Sequence, residues 1–591
     1  MEKEKFLEVY RHSMSHILAK AVIEIYGADK VQYAIGPQIA DGFYYDFTLP
    51  VNLSSDDFKA IEDKMREILK RKEAWTCSEV SKAEALEIFK DQKYKSELIR
   101  DLPDGEKITT YKTGDDFIDL CTGPHVENSQ DLLSVAFQIK SVSGSYWRGD
   151  EHNDQLQRIY VYAFPDKQQL KDHLALIKEA MERDHKKLGP QLGLFMFHES
   201  APGMPYWLPR GWKSYNALLE FWRGIHEDHG YQEISAPVIN NQKIWATSGH
   251  WGHYKENMFI IPGEKEDESD YYAAKPMNCP NAVMVYKNEL RSYRDLPFRI
   301  SQVDPIHRKE KSGELNGLFR VQEFHQDDAH ILVTEEQIAG EIADIMDIAT
   351  EIYGAFGLTY VPELSTRPDD YMGDLAVWNK AEAELKAILD KQYGEGGYEI
   401  NEGDGAFYGP KIDLKMKDAL GREWQMGTIQ LDFQLPLNFE MKYAAQDGTI
   451  KQPVMIHRAM LGSIERFMGI LIENYKGAFP FWLSPVQVAV VPVKTDHNDY
   501  AKKVITALKE AGIRTEVDYE DKNMNTKIKA CRNMKDPYIV VVGGQEAESG
   551  TVSITVRGQK EQLHNVPLEK LVEMCRTMNR EHSQELISSA E

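Results

Sequence analysis

The sequence predicts an α+β protein of several domains, on three grounds. Its 591 residues exceed what one hydrophobic core usually organises, since domains run to ~100–200 residues. At 42% hydrophobic and 28% charged residues the chain can bury real cores and does not have the composition of a disordered polymer. The hydrophobic pattern also changes character twice, near residue 187 and again at Val486.

Residues 1–187 mix helical periodicity with strand-like runs such as QRIYVYAF (157–164), an α+β pattern. They close with KQQLKDHLALIKEAMERDHKK, which reads as a linker helix. Residues 188–481 combine helices with apolar strands, among them FRISQVDPIH (298–307) and FRVQEFHQDDAHILV (319–333), broken by glycine-bearing turns. An antiparallel sheet with helices is the natural reading. From 486 to 591 the order is VQVAVVPV, the helix DYAKKVITALKEAGI, the strand RTEVDY, another helix and PYIVVVGG. Strands alternating with amphipathic helices predict a small α/β domain with a largely parallel sheet. There is no internal repeat and no low-complexity tract.

Composition excludes several classes of function. Charged residues occupy the place where a secretory leader would carry its apolar core, and no run of ~18 apolar residues occurs, so a cytoplasmic protein without a membrane span is expected. Five cysteines, Cys77, Cys121, Cys279, Cys531 and Cys575, are few, odd in number and far apart. A disulfide framework is therefore not expected, and a cysteine with a role would be a ligand or a reactive thiol. A formal charge of -24 argues by itself against a nucleic-acid partner. RNA binding needs only local basic stretches, however, and HRKEK (307–311) and KNMNTKIKACRNMK (522–535) supply them.

The most informative stretch is DPIHRKEKSGELNGLFRVQEFHQDDAH (304–330). Arg308 and Glu310 close one strand, a loop bearing Gly313 and Gly317 follows, and a second strand carries Arg320, Phe324, Gln326 and Asp328. Alternate residues share one face of a strand, so Phe324, Gln326, Asp328 and His330 can line one surface. Such a surface offers cations to phosphates, an aromatic face to a base and polar groups to a small substrate. On composition alone it would pass for a hairpin with solvated charges. Residue order distinguishes it, because the stretch resembles motif 2 of class II aminoacyl-tRNA synthetases. MIHRAMLGSIERFMGILIE (455–473) resembles motif 3, with Arg466 in its helix, and LLEFWRGIHEDHGYQEISAPVI (218–239) resembles motif 1, the family's dimer interface.

APGMPYWLPRGW (201–212), SGHWGHYKENMF (248–259), KPMNCP (275–280), STRPDDYMG (365–373), GDGAFYGPKID (403–413) and WQMGTIQLDFQLP (424–436) narrow the resemblance to the threonyl-tRNA synthetases. The family implies a class II antiparallel β-sheet catalytic core with helices, preceded by an α+β editing domain and followed by an α/β anticodon-binding domain. It implies activation of L-threonine with ATP and Mg2+, transfer to tRNA(Thr), and a homodimer formed through motif 1.

Position by position, the resemblance gives Arg308 to the α-phosphate, Arg466 to the γ-phosphate, Phe324 to the adenine ring and Glu310 to its amino group. Arg320 is a further phosphate candidate. Cys279, His330 and His457 match the family's ligands for one Zn2+ per subunit, on which the threonine amino group and hydroxyl both bind. Their sequence separation is too long to read as a metal motif, but three N/S ligands leave a coordination position open, as in functional zinc sites. Asp328 and Tyr408 are placed for the ammonium group, Gln326 and Gln430 for the rest of threonine, and Lys411 and Gln425 for the adenylate or the tRNA terminus. Gln322 stands where many relatives carry arginine and Met426 where some carry cysteine.

At the N-terminus, His12 and His16 are four apart on one helical face, and Cys121 and His125 repeat that spacing, which read without context is a plausible second zinc site. Together with GFYYDF (42–47), DLCTGPH (119–125) and YWRGD (146–150), they resemble the family's editing domain. That assigns His12, His16, Asp119, Cys121 and His125 to metal-free hydrolysis of seryl-tRNA, with histidine moving protons near neutral pH. The ubiquitin-like domain that precedes it in many bacterial relatives is expected to be absent. In the last domain Lys527, Glu546 and Arg557 are the candidate anticodon contacts. A synthetase for proline or histidine would not be expected to combine these zinc ligands with this N-terminal domain. A synthetase-like RNA-binding protein without activity would lack Arg308 or Arg466, and both are present.

Overall fold

The computed structural model describes residues 2–103, 105–265, 267–394 and 396–589, so Met1 and residues 590–591, the outer ends of the expected first and last domains, lie outside it. Two compact units divide between Glu179 and Ala180.

The first unit is built on the helix Glu2–Tyr26. Met14, Ile17, Leu18, Ala21 and Val22 recur at intervals of three and four and are fully buried. They form the apolar stripe that packs with Phe43, Tyr45 and Phe47 of the strand Gly42–Thr48. That strand pairs antiparallel with Gln155–Phe164, which pairs antiparallel with Ala136–Tyr146. A second sheet joins Trp75–Val80, Ile108–Thr113 and Phe117–Leu120, the last ending one residue before Cys121. The helix thus carries His12 and His16 while a strand end delivers the DLCTGPH loop.

The helix Lys167–Arg183 corresponds to the expected linker, but it does not run on through DHKK. Asp184 interrupts it and caps the next helix, His185–Gln191, its carboxylate accepting from the Lys186 N–H at 2.8 Å.

The second unit holds the large sheet. In spatial order its strands are Gln232–Glu233, Phe298–Gln302, Glu323–Val333, Val454–Ser463, Glu423–Asp432, Lys411–Lys417, Tyr360–Ser365 and Glu399–Asn401, with Pro305–His307 also pairing to Glu323–Val333. Pairing is antiparallel throughout the middle and parallel only at the two edges. Helices Pro209–Asp228, Ile338–Ala355 and Ile464–Asn474 cover it through one continuous core. Of the motif 1 stretch, Gln232 and Glu233 pair in this sheet, and the chain then turns so that Ser235 Oγ and the Ala236 N–H donate to Asp304.

In the C-terminal part of this unit, Thr515–Val517, Val488–Pro492 and Tyr538–Val542 are parallel, as alternating strands and helices require. Thr551–Val556 and Gln562–Pro567 form an antiparallel hairpin beside them, because their short connection leaves no room for a crossover. Among the described residues no helix is long and apolar enough to cross a membrane.

Candidate active site

Three arginines converge on a cavity of about 390 Å³ in the large sheet. Arg308 follows the strand Pro305–His307, Arg320 precedes Glu323–Val333, and Arg466 lies in the first turn of the helix Ile464–Asn474. Glu310, Phe324, Gln326, Gln425, Met426 and Thr428 are among the other lining residues, with Gly462 and Ser463. The Arg308 guanidinium lies 5.1 Å from the centre of the Phe324 ring. Arg466 donates through Nε to the Phe319 carbonyl at 3.0 Å. Burial, then the neighbouring Arg308 and Arg320, push its pKa down, so this is a site built to receive anions. Gly462 sits at φ +67°, where an added Cβ would stand 2.9 Å from the Met426 carbonyl. Backbone and cavity wall meet there too closely for a side chain.

Two expectations change on inspection. Arg320 and Glu310 are partners of each other, at 2.8 Å, and Arg320 also meets Glu314 at 2.7 Å. Binding a nucleotide through either residue therefore involves exchanging that ion pair. Lys411 is outside the cavity lining, its ammonium held by Asp413 at 2.7 Å and Asp404 at 3.0 Å. Gln322 ties the loop above the cavity, its amide donating to the Pro202 carbonyl at 2.9 Å, and Met426 is buried in the wall.

Farther along the same strand lies a cluster of Cys279, His330 and His457, whose ligand atoms are all within 4.8 Å of one another. Sheet register explains how residues so far apart in sequence meet. His330 is paired directly with His457 across adjacent antiparallel strands, and His457 with Gln430 on the next strand. Cys279 opens the helix Cys279–Tyr286 beside them.

Asp432 holds His457 by its Nε2 at 2.9 Å, the second partner that orients a metal-binding imidazole. Burial, then His457, lowers the His330 pKa far below normal, leaving a neutral imidazole whose Nδ1 is buried with no partner among the described residues. Burial, then Asp328 and Asp432, raises the Cys279 thiol. Burial also raises Asp328, to about 6. Tyr408 is half-buried, its ring 5.7 Å from that of His457. Gln430 donates to the Gly409 carbonyl at 3.3 Å. A neutral imidazole nitrogen without a partner, a thiol and a second oriented imidazole suit a cation of zinc's preferences.

His250, from the SGHWGHYKENMF stretch, was not singled out by the sequence. It is buried beside this cluster, with Nδ1 2.8 Å from Ser248 Oγ and Nε2 3.0 Å from Met277 Sδ, and burial lowers its pKa to about 4.

In the first unit, His12, His16, Cys121 and His125 come together with ligand atoms within 4.8 Å. Cys121 Sγ is 3.2 Å from His12 Nε2 and 3.2 Å from His125 Nε2. His125 Nδ1 is 3.1 Å from Ser13 Oγ. Asp119 lies 3.5 Å from His16 and accepts from the Tyr45 hydroxyl at 2.6 Å. His12, His16, Asp119 and Cys121 line a pocket of about 470 Å³.

Lys95 also lines it, 2.5 Å from Asp119. Sequence reasoning missed Lys95 because a lone lysine on a short helix carries no signal. Burial keeps the imidazoles neutral, lowering His12 and His16 and taking His125 to about 2, and it raises Cys121 to about 11. Proton donation by a histidine with an ordinary pKa is thus not what this pocket offers at neutral pH.

The candidate anticodon residues have other occupations. Lys527 is buried and donates to the Asp518 carbonyl at 2.8 Å. Arg557 donates to the carbonyls of Lys535 and Phe479 at 2.5 Å each and Ala478 at 3.1 Å, pinning the C-terminal sheet to the end of the large domain. Glu546 accepts from Ser553 Oγ at 2.8 Å and the Gly543 N–H at 3.0 Å. Backbone carbonyls thus satisfy the buried donors of Lys527 and Arg557.

Residues 260–475 match the family described as the tRNA synthetase class II core domain for G, H, P, S and T, residues 487–578 the anticodon binding domain, and residues 108–160 the threonyl and alanyl tRNA synthetase second additional domain. The threonine–tRNA ligase of Thermotoga maritima is 47% identical over 578 residues, 98% of this chain and 89% of that protein. The chain belongs to the threonine–tRNA ligase family. The ligase of Petrotoga mobilis is 49% identical over 568 residues, 96% of this chain and 87% of its own. A crystal structure of the RNA binding domain of the Cryptosporidium parvum threonyl-tRNA synthetase superposes with a TM-score of 0.64. It is 41% identical and covers 67% of this chain and 98% of that one.

Proposed function

We propose that the arginine cavity and the adjoining Cys279/His330/His457 cluster form one synthetic site, which activates L-threonine with ATP and transfers it to tRNA(Thr). The observation that carries this reading is their placement along one strand, where Gln326 lines the cavity and Asp328 and His330 follow toward the cluster. A nucleotide in the cavity and an amino acid at the cluster would then meet at the α-phosphate.

Arg308 stabilises the charge that develops as the threonine carboxylate attacks that phosphate, and Arg466 holds the γ-phosphate of the leaving pyrophosphate with its Mg2+. Phe324 stacks on adenine, Glu310 accepts from its amino group, and Arg320 is released from Glu310 to add charge. Asp328 and Tyr408 hold the threonine ammonium, Gln326 and Gln430 flank it, and Lys411 and Gln425 serve the adenylate or the tRNA end. Cys279, His330 and His457 would hold a Zn2+ ion, which would supply Lewis acidity toward the amino group and the hydroxyl of threonine. Valine has no hydroxyl to offer, whereas an apolar pocket alone would separate this near-isosteric pair by only ~10²-fold.

Serine keeps both groups and lacks one methyl, worth about 1–3 kcal/mol, so the first site cannot reject it adequately. Hydrolysis of seryl-tRNA falls to the pocket of His12, His16, Asp119, Cys121 and His125 in the N-terminal domain. The motif 1 region, 218–239, forms a homodimer interface, and the C-terminal domain binds the anticodon arm. ATP–pyrophosphate exchange measured with threonine, serine and valine tests the synthetic site. Threonine and serine should support exchange and valine should not; exchange with valine comparable to threonine overturns the hydroxyl requirement.

A further inference from the structure

Asp413 takes no part in the assignments above, yet its buried carboxylate holds together residues from three strands. Oδ1 accepts from Gln425 Nε2 at 2.6 Å and Thr428 Oγ1 at 2.9 Å. Oδ2 accepts from Ser365 Oγ at 3.0 Å and Lys411 Nζ at 2.7 Å. Four donors fill the carboxylate's four acceptor sites, and its side chain is 1% exposed.

The register shows how the donors reach it. Asp413 pairs with Thr428, but the ladder slips between Leu414 and Lys415, so that Gly427 and Gln425 on the neighbouring strand face consecutive residues. Met426 is the extra residue of a β-bulge. Strict alternation would turn Gln425 away from the face that carries Thr428; the bulge restores it to that face. Gln425 and Thr428 both line the arginine cavity, and Asp413 binds both. A carboxylate can only accept, so it also fixes which end of the Gln425 amide faces it.

We propose that Asp413 is a positioning residue for adenylate formation, holding Gln425 at the cavity and Lys411 beside it as one unit across the bulge. This rests on the synthetic role given above to Lys411 and Gln425. Asp413→Asn bears chiefly on the Lys411 arm. The amide keeps one accepting oxygen and turns an NH2 to the other arm; the Ser365 and Thr428 hydroxyls can rotate to accept from it, the Lys411 ammonium cannot, and in either orientation Lys411 loses the charge of the carboxylate. Asp413→Ala releases both arms.

The test is ATP–pyrophosphate exchange with threonine for the full chain, kcat and KM separately, for D413N, D413A, K411A, Q425A and the double variants, with seryl-tRNA hydrolysis as the control for intact protein. D413N should lower kcat roughly 10-fold or more, as K411A does, and D413N/K411A should fall no further than either alone. D413A should match K411A/Q425A. Hydrolysis of seryl-tRNA should stay at the parent rate throughout. Parental kcat in D413N beside an impaired K411A, or losses that multiply in D413N/K411A, would overturn the proposal. A parental K411A would overturn the role given to Lys411, and Asp413 would then be judged by whether the D413A and Q425A losses multiply.

Discussion

Arg466→Ala should separate catalysis from folding, and the structure gives the sign of both effects. In the free protein the guanidinium shares its cavity with Arg308 and Arg320, and burial together with these like charges lowers its pKa. Among the described residues its one hydrogen bond to protein is Nε to the Phe319 carbonyl, at 3.0 Å. Truncation loses that bond, worth about 1 kcal/mol, and relieves repulsion that acts in the opposite direction. Unfolding stability without nucleotide should therefore change by no more than about 1 kcal/mol.

With ATP the balance reverses, because three cations around polyphosphate attract it. Removing one preorganised charge from a reacting group costs about 2.7–4 kcal/mol, a factor of ~10²–10³ in kcat. Exchange of ATP and pyrophosphate with threonine measures that loss, and denaturant melts with and without ATP measure the linkage. ATP at 100 times its Kd should stabilise the parent by about 2.7 kcal/mol and the variant by clearly less. Exchange within 10-fold of the parent would refute the assignment of Arg466 to the phosphates, as would a variant that gains as much stability from ATP as the parent.

Other consequences are equally direct. The purified protein should contain about one zinc per chain, and Cys279→Ser should lose it together with threonine activation; an active enzyme without zinc would refute the metal reading. Asp432→Asn, which weakens the grip on His457, should loosen zinc ~10–100-fold in chelator competition. The pair His12→Ala with His16→Ala should leave threonine charging intact while seryl-tRNA accumulates, and clearance at the parent rate would end the editing assignment. Because burial holds His12, His16 and His125 below 6.5, hydrolysis of preformed seryl-tRNA, corrected for spontaneous hydrolysis, should show no inflection near pH 6.5. A clear step there would show that a histidine titrates in the mechanism.

His325 gives a stability test. Burial lowers its pKa, but the Glu465 carboxylate, 3.0 Å away, outweighs this and leaves it raised above 6.5. The contribution is complete below pH ~6.5 and is lost as pH rises through the folded value. His325→Asn should flatten the fall in stability over that window.

The order of elements was legible because periodicity and turn residues report it locally. The antiparallel sheet and the parallel C-terminal strands both follow from patterns within a few dozen residues. What was not legible depends on register. Nothing near Cys279, His330 or His457 in sequence marks a metal cluster; they meet because two strands align His330 opposite His457 and a helix begins at Cys279. Asp432, Lys95 and Asp413 escaped for the same reason, since each acts through a neighbour supplied by a distant segment. Resemblance supplied the cluster where spacing could not. It was least useful for Lys527 and Arg557, whose charged ends are taken up by carbonyls of the fold.

The two clusters of soft ligands in this chain also show why ligand identity alone does not decide chemistry. Each has cysteine and histidine atoms within 4.8 Å. In the large sheet, His330 Nδ1 is buried with no partner among the described residues, and Asp432 orients His457. In the N-terminal pocket His16 Nδ1 is likewise buried with no partner among the described residues, but the other groups bind one another: Cys121 lies between His12 and His125, Ser13 holds the far nitrogen of His125, and Asp119 is taken by Lys95 and Tyr45. A metal held there through Cys121, His12 and His125 would have to break contacts already made. The difference is in keeping with the division of labour proposed above, in which a Lewis acid at the first site would select the hydroxyl. Hydrolysing an activated ester calls only for an oriented water and a pocket that a seryl group can enter.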